Sequence, residues 1–107
     1  MKNKIEKYTY RIAWSEEDGR HIAHCLEFPS LAAHGKTVET ALREIKFVVN
    51  ETINWLIEEG ETIPEPLGMK KFRGHITLRV PAEMHRELAI RSVEEGVSVN
   101  QFILSRL

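Results

Sequence analysis

Residues 74–107, GHITLRVPAEMHRELAIRSVEEGVSVNQFILSRL, decide how the rest of the chain is read. Gly74 to Val80 alternates: His75, Thr77 and Arg79 fall on one side of an extended chain, and Ile76, Leu78 and Val80 on the other. A lone strand leaves its backbone donors and acceptors unpaired, and nothing else in this segment reads as a second strand. A second copy of the chain supplies the missing partner. Two such strands, antiparallel about a two-fold axis, would bury the Ile/Leu/Val face on the following helices and present His75, Thr77 and Arg79 outward. A two-stranded ribbon of that kind fits the major groove of DNA.

Two helices are expected after the strand. Pro81 cannot continue a paired strand but is tolerated in a first helical turn. Glu83 puts negative charge at the amino end, where the helix dipole favours it. Met84, Leu88 and Val93, with Ala89 nearby, give an apolar stripe. Gly96 is suited to stop the helix in the left-handed conformation. Ser98 is then expected to cap a second helix, Val99 to Leu107, with Val99, Phe102, Ile103 and Leu107 facing inward. The expected dimer core is Ile76, Leu78, Val80, Leu88, Phe102 and Ile103. Ser98, Val99 and Asn100 start the second helix, where free N–H groups suit a DNA phosphate. ITLRVP, a helix and then GVSVNQFI resemble the ribbon-helix-helix DNA-binding domain. The variant with HRELA and SVNQFI is similar to the carboxy-terminal domain of HicB-family antitoxins.

The chain has 107 residues, 42% hydrophobic and 29% charged, with a formal net charge of −1. That size allows one domain or two small lobes. No apolar run approaches the ~20 residues that span a bilayer. The amino-terminal MKNKIEKYTYRIAW lacks an apolar h-region, so no signal peptide is expected. One cysteine, Cys25, excludes an intramolecular disulfide and suits a reducing cytoplasm. Charge is distributed unevenly. Lys70, Lys71, Arg73 and Arg79 cluster with no acid between Leu67 and Arg79. Lys70, Lys71 and Arg73 are therefore assigned to DNA phosphates, and His75, Thr77 and Arg79 to base edges.

The preceding residues read as a separate lobe. Tyr8 to Trp14 alternates, SEEDGR (residues 15–20) is a hairpin turn around Asp18-Gly19, and His21 to Phe28 returns as a strand ended by Pro29. Leu31 to His34 is a short third strand broken by Gly35. Thr37 is expected to cap a long helix whose core stripe is Val38, Ala41, Leu42, Ile45, Val48, Val49, Ile53, Leu56 and Ile57, with Gly60 at its end. ETIPEPLG is an irregular exit, and the later part of residues 61–73 is a candidate strand edge. The fold class is α+β: a β-β-β-α lobe over residues 1–66, a basic linker over 67–73, and a β-α-α unit over 74–107.

This order also resembles a HicB amino-terminal domain. The resemblance rests on Tyr8–Trp14, EEDGR, HIAHCLEFPSLAAHGKTVETALREI and EEGETIPEP. It implies a partial, degenerate RNase H-like lobe that binds a HicA-like ribonuclease toxin, a small basic protein whose catalytic histidine is occluded. Phe28-Pro29-Ser30-Leu31 departs from the proline-glycine-cysteine run common in that family.

Catalysis and metal binding are not expected. RNase H-type chemistry needs several carboxylates converging on metal ions. Glu16, Glu17 and Asp18 lie in a turn, and only Glu27 sits near a strand end. On a strand, His21 and Cys25 share one face and His24 takes the other, so the three do not converge on a zinc ion. Cys25 reads as a buried strand residue with no local partner for a nucleophile. From Glu39 to Glu65 there are seven glutamates against Arg43 and Lys46. Most fit a solvated helix face; Glu39, Glu44, Glu51, Glu58 and Glu59 are also candidates for contact with a basic toxin. The functional expectation is a non-enzymatic antitoxin that, as a homodimer, binds operator DNA and represses its own operon. The rival reading is a ribbon-helix-helix regulator with no toxin, whose first lobe senses a ligand or sets oligomeric state.

Overall fold

A computed structural model describes residues 2–107 as a mixed α+β chain. It divides into two compact units, Met1–Lys71 and Phe72–Leu107. The first runs α1 (Lys2–Lys7), β1 (Tyr10–Ser15), β2 (Arg20–Cys25), β3 (Phe28–Gly35) and α2 (Val38–Glu58), then a 3-10 turn at Leu67–Met69. The second holds α3 (Ala82–Glu95) and α4 (Val99–Leu104). Helix α1 is not among the elements expected from the sequence.

The three strands form an antiparallel meander in the order β1-β2-β3. Tyr10 to Ser15 pairs with Cys25 to Arg20, joined by the Asp18-Gly19 turn with Gly19 at φ 61°. The second hairpin differs from expectation. Strand β2 ends at Cys25, Leu26-Glu27 is the turn, and Pro29 lies inside β3 instead of ending β2. Strand β3 is an edge, where a residue without an N–H costs no ladder bond on its open side. Gly35 likewise belongs to β3 and pairs opposite His21. A Cβ there would lie 2.5 Å from the Ala41 nitrogen and 2.9 Å from Thr40 Cβ. Glycine is what lets the end of β3 meet the first turn of α2.

Helix α2 starts at Thr37, whose hydroxyl accepts from the Thr40 N–H at 3.1 Å. It stops in a Schellman turn: Gly60, at φ 71°, donates to the Ile57 carbonyl and Glu61 to that of Leu56. Ala41, Ile45, Val49 and Ile53 are its buried stripe, packed on Tyr8, Ala23, Cys25 and Phe28. Leu42 and Leu56 pack at the margin of this core, whereas Val38 and Ile57, at the two ends, are exposed. Trp14, in alternation with Tyr8, Tyr10 and Ile12, is exposed and stacks edge-on against His21 at 5.1 Å.

One carboxylate ties three parts of this lobe together. Glu27 accepts from the Thr9 N–H (2.9 Å), the Thr9 hydroxyl (3.0 Å) and the Leu67 N–H (2.8 Å). The approach to β1, the β2–β3 turn and the exit from α2 are thereby held at one point. Residues 67–73 are thus not wholly a linker. Leu67–Met69 is a helical turn bonded to the lobe, and no strand forms over residues 61–73. Burial alone would push the Glu27 carboxyl up, but the hydrogen bonds from Leu67 and Thr9 outweigh it and hold it below its usual value.

Two outcomes follow for stability. Gly35→Ala should cost about 1–3 kcal/mol in chemical denaturation, because backbone has to move. Gly68→Ala, whose Cβ meets nothing within 4 Å, should stay within ~0.5 kcal/mol. Glu27→Gln should destabilise by roughly 2–4 kcal/mol near neutral pH, since the charged acceptor of the Thr9 and Leu67 bonds and of the Cys25 thiol is removed. With its folded pKa lowered, Glu27 stabilises fully above the ordinary value of 4.5, and that contribution fades as pH falls through the folded pKa. The gap between wild type and Glu27→Gln should therefore close in acid; a gap constant down to pH 2 would contradict the clamp.

Candidate nucleic-acid and pairing surface

The unit Phe72–Leu107 has little interior of its own. Ser92 and Phe102 are its buried residues. Ile76 is 85% exposed and Leu78 68% exposed, while Val80 is half-buried. Gly74 to Val80, expected as a strand, pairs with no strand among the described residues, whose one sheet is β1-β2-β3. His75, Thr77 and Arg79 are all exposed. Ile76, Leu78 and Val80 instead line an open groove with Leu88 of α3 and Val99, Ile103 and Leu104 of α4. His75, Arg79 and Asn100 also line it.

The helices behind the groove follow their capping signals closely. Pro81 is the residue before α3, with Glu83 in the first turn. Gly96 closes α3 at φ 71°, donating to Val93, while Val97 donates to Ser92. Ser98 caps α4: its hydroxyl accepts from the Gln101 N–H at 3.0 Å, and the Gln101 side chain accepts from the Ser98 N–H at 3.3 Å. The S-x-x-Q spacing is the sequence signal that announces such a reciprocal box.

Three expectations about these helices are corrected. Helix α4 ends at Leu104, not Leu107; Ser105 turns its hydroxyl onto the Phe102 carbonyl at 2.6 Å, and Leu107 is exposed. Val93 is exposed, and Ser92 takes the inward position, its hydroxyl bonded to the Ala89 carbonyl at 2.9 Å. A serine satisfied on its own helix can sit where two helices approach closely. Met84 is also exposed, leaving Leu88 and Ala89 half-buried. Phe102 is flanked by two cations, Arg91 at 5.3 Å and Arg106 at 4.6 Å from the ring, and Arg106 also pairs with Glu95 at 2.7 Å. Sequence reasoning missed these arginines, because covering a ring with a guanidinium leaves no periodic signal.

Lys70, Lys71 and Arg73 are exposed, as are Ser98 and Asn100; Val99 is half-buried. In the first unit, Glu39, Glu44, Glu51, Glu58 and Glu59 are exposed, and none forms an ion pair among the described residues. At 100° per residue, Glu44, Glu51 and Glu58 share one line on α2, with Glu39 and Glu59 about 100° to either side.

The groups weighed for chemistry are placed as follows. Glu27 is consumed by its hydrogen bonds to Thr9 and Leu67. Cys25 is fully buried, and burial pushes its thiol up to about 11, so it is protonated at neutral pH. His24 is exposed on the opposite sheet face from Cys25. Tyr8 is also pushed up to about 12, by burial first and then by Cys25 and Glu27; its hydroxyl donates to the Pro64 carbonyl at 2.8 Å. No group of three or more His, Cys, Asp or Glu suited to a metal occurs among the described residues. No helix among them is long and apolar enough to cross a membrane.

Comparison with known proteins bears on the second half of the chain. No curated protein and no solved structure matches the sequence. The model of the HicB family matches residues 57–107, just under half of the chain. The match takes in the end of α2, the proline-rich exit and all of the second unit, and the chain is similar to HicB proteins there.

Proposed function

We propose that this chain is a HicB-like antitoxin. Phe72–Leu107 pairs with the same residues of a second copy as a ribbon-helix-helix unit, binds operator DNA in the major groove and represses its own operon. The first lobe, read as a partial RNase H-like fold, binds and neutralises a HicA-like ribonuclease. The protein acts by binding and catalyses no reaction of its own.

The observation that carries this reading is the second unit's open groove. Ile76 and Leu78 stand in water beside Leu88, Ile103 and Leu104, in a unit whose buried residues are Ser92 and Phe102. A 36-residue unit with so small an interior lies below the size that is stable alone. Pairing Gly74–Val80 with its two-fold mate supplies the missing backbone bonds and covers the apolar wall in one step. Regular strand alternation in the paired ribbon would turn His75 and Arg79, which line the groove in the single chain, outward together with Thr77. Arg79 offers the planar fork that matches the O6 and N7 of guanine; Thr77 can meet a base or a thymine methyl, and His75 can donate or accept. Lys70, Lys71 and Arg73 precede the ribbon and supply phosphate contacts, joined by the first N–H groups of α4 near Ser98, Val99 and Asn100. The acidic face of α2 and its exit fit a cationic toxin.

Co-expression with a HicA-like toxin encoded beside the chain tests the whole. Growth should be rescued, the two proteins should co-purify, and the antitoxin should sediment as a dimer or larger. Arg79→Ala should weaken operator binding roughly 5- to 150-fold and relax specificity at one base pair, with toxin neutralisation intact. Replacing Lys70, Lys71 and Arg73 by Gln should lower affinity for all DNA alike. The slope of log affinity against log salt should become shallower by ~0.9 for each phosphate that is no longer neutralised. Loss of neutralisation equal to the loss of operator binding in Arg79→Ala would overturn the division between the units.

A further inference from the structure

Helix α2 has a second face that its own lobe does not use. Phe47 is 60% exposed and Trp55 57% exposed, two aromatic side chains lying in water on one helix. In sequence they alternate with carboxylates, Glu44, Phe47, Glu51, Trp55 and Glu58, at steps of three or four residues. At 3.6 residues per turn these five fall within an arc of about 80°, over about 21 Å of helix. The centre of that arc lies about 140° around the helix from that of the buried stripe Ala41, Ile45, Val49 and Ile53. Arg43, exposed and one turn before Phe47, is the one base at the edge of this arc; Lys46 lies on the far side of the helix, paired with Glu6 at 3.0 Å. Phe47 and Trp55 differ from singly scattered apolar residues in sharing one arc of one helix with three carboxylates. Tryptophan in particular is enriched among residues that dominate binding energy.

We propose that this outer stripe of α2 is the docking surface for a cationic protein. Phe47 and Trp55 are the side chains that insert into it, and Glu44, Glu51 and Glu58 select it. The inference rests on the toxin-binding reading and deepens it: the partner is the HicA-like ribonuclease, and the contact is this stripe and not the whole acidic run from Glu39 to Glu65. Aromatic faces accept guanidinium or ammonium groups and the apolar stems that carry them, while the flanking carboxylates pair with the same cations. Charge excludes the alternatives. A two-fold contact with a second copy would set three carboxylates against three across the seam, and nucleic acid would bring phosphates to the same acids. Glu39 and Glu59, off the stripe, are expected to contribute little.

The test uses the full chain and the purified HicA-like toxin of the co-expression experiment, inactivated at its catalytic histidine, with affinity measured by calorimetry. Trp55→Ala should weaken binding about 30-fold or more and Phe47→Ala about 10-fold. Both side chains are exposed, so thermal midpoints should not change. Glu44, Glu51 and Glu58 changed together to Gln should slow association and flatten its salt dependence; Glu17→Gln, in the hairpin turn, should change neither. Wild-type binding with both aromatic variants within threefold of it would overturn the stripe and leave the antitoxin reading standing. A wild-type chain that does not bind the toxin would overturn both. A change in sedimentation with Trp55→Ala, at unchanged toxin affinity, would make the face a contact between copies and overturn the proposal.

Discussion

A backbone segment with no partner sets the terms for the second half of this chain. Gly74 to Val80 holds a row of unpaired peptide groups, and its apolar side chains lie in water in front of two short helices. Burying those groups unpaired would cost free energy, and leaving the apolar ones exposed invites association. Pairing with an identical segment removes both penalties, and symmetry makes such pairing available at no cost in further sequence. The same pairing would place basic and polar side chains on the outer surface of the ribbon. On the proposed pairing, dimer formation and DNA contact would be one structural event, and binding would depend on protein concentration as well as on operator affinity.

The first unit meets the same problem of small size by other means. Its core is one helix stripe on three strands, extended by Tyr8 and by Ile63 from the exit segment. Glu27 closes the construction by holding Thr9 and Leu67 at one carboxylate. Placing an ionised group there is costly unless every lone pair is occupied, and four donors, including Cys25 at 3.5 Å, converge on it. An acid that draws attention as a possible metal ligand is therefore committed to architecture. Its neighbour Cys25 is kept protonated by the same burial.

Much of this was legible in the sequence, and the reasons for the remainder are physical. Thr37, Gly60, Gly96 and Ser98 act within one turn of their own position, so local chemistry reveals them. The buried core of α2 followed helical periodicity. Pro29 misled because its penalty depends on whether a strand is central or edge, a property of topology and not of neighbours in sequence. Val93 misled because hydrophobicity ranks it above Ser92, whereas helix geometry turns position 92 inward and the Ala89 carbonyl satisfies its hydroxyl. The Glu27 clamp joins residues 40 positions apart, beyond the reach of any local pattern. Phe47 and Trp55 were hidden for the opposite reason: scanning for a core stripe discards whatever falls on the far face.

A net charge of −1 conceals the feature that matters most for partners. Seven glutamates gather between Glu39 and Glu65, and four bases between Lys70 and Arg79. At physiological salt, charges are screened beyond ~8 Å, so an approaching molecule senses a local patch and not the whole chain. The ~21 Å stripe on α2 is long enough for its three carboxylates to appear to a partner as a local acidic patch. The segment before Pro81 offers the reverse to phosphates. One nearly neutral protein can thus attract a cationic protein and an anionic polymer through separate stretches. Raising salt should weaken both attractions together, whereas removing the carboxylates or the bases should weaken only one. That separability is what the proposed division into a neutralising half and a DNA-binding half would require, and a near-zero net charge is compatible with it.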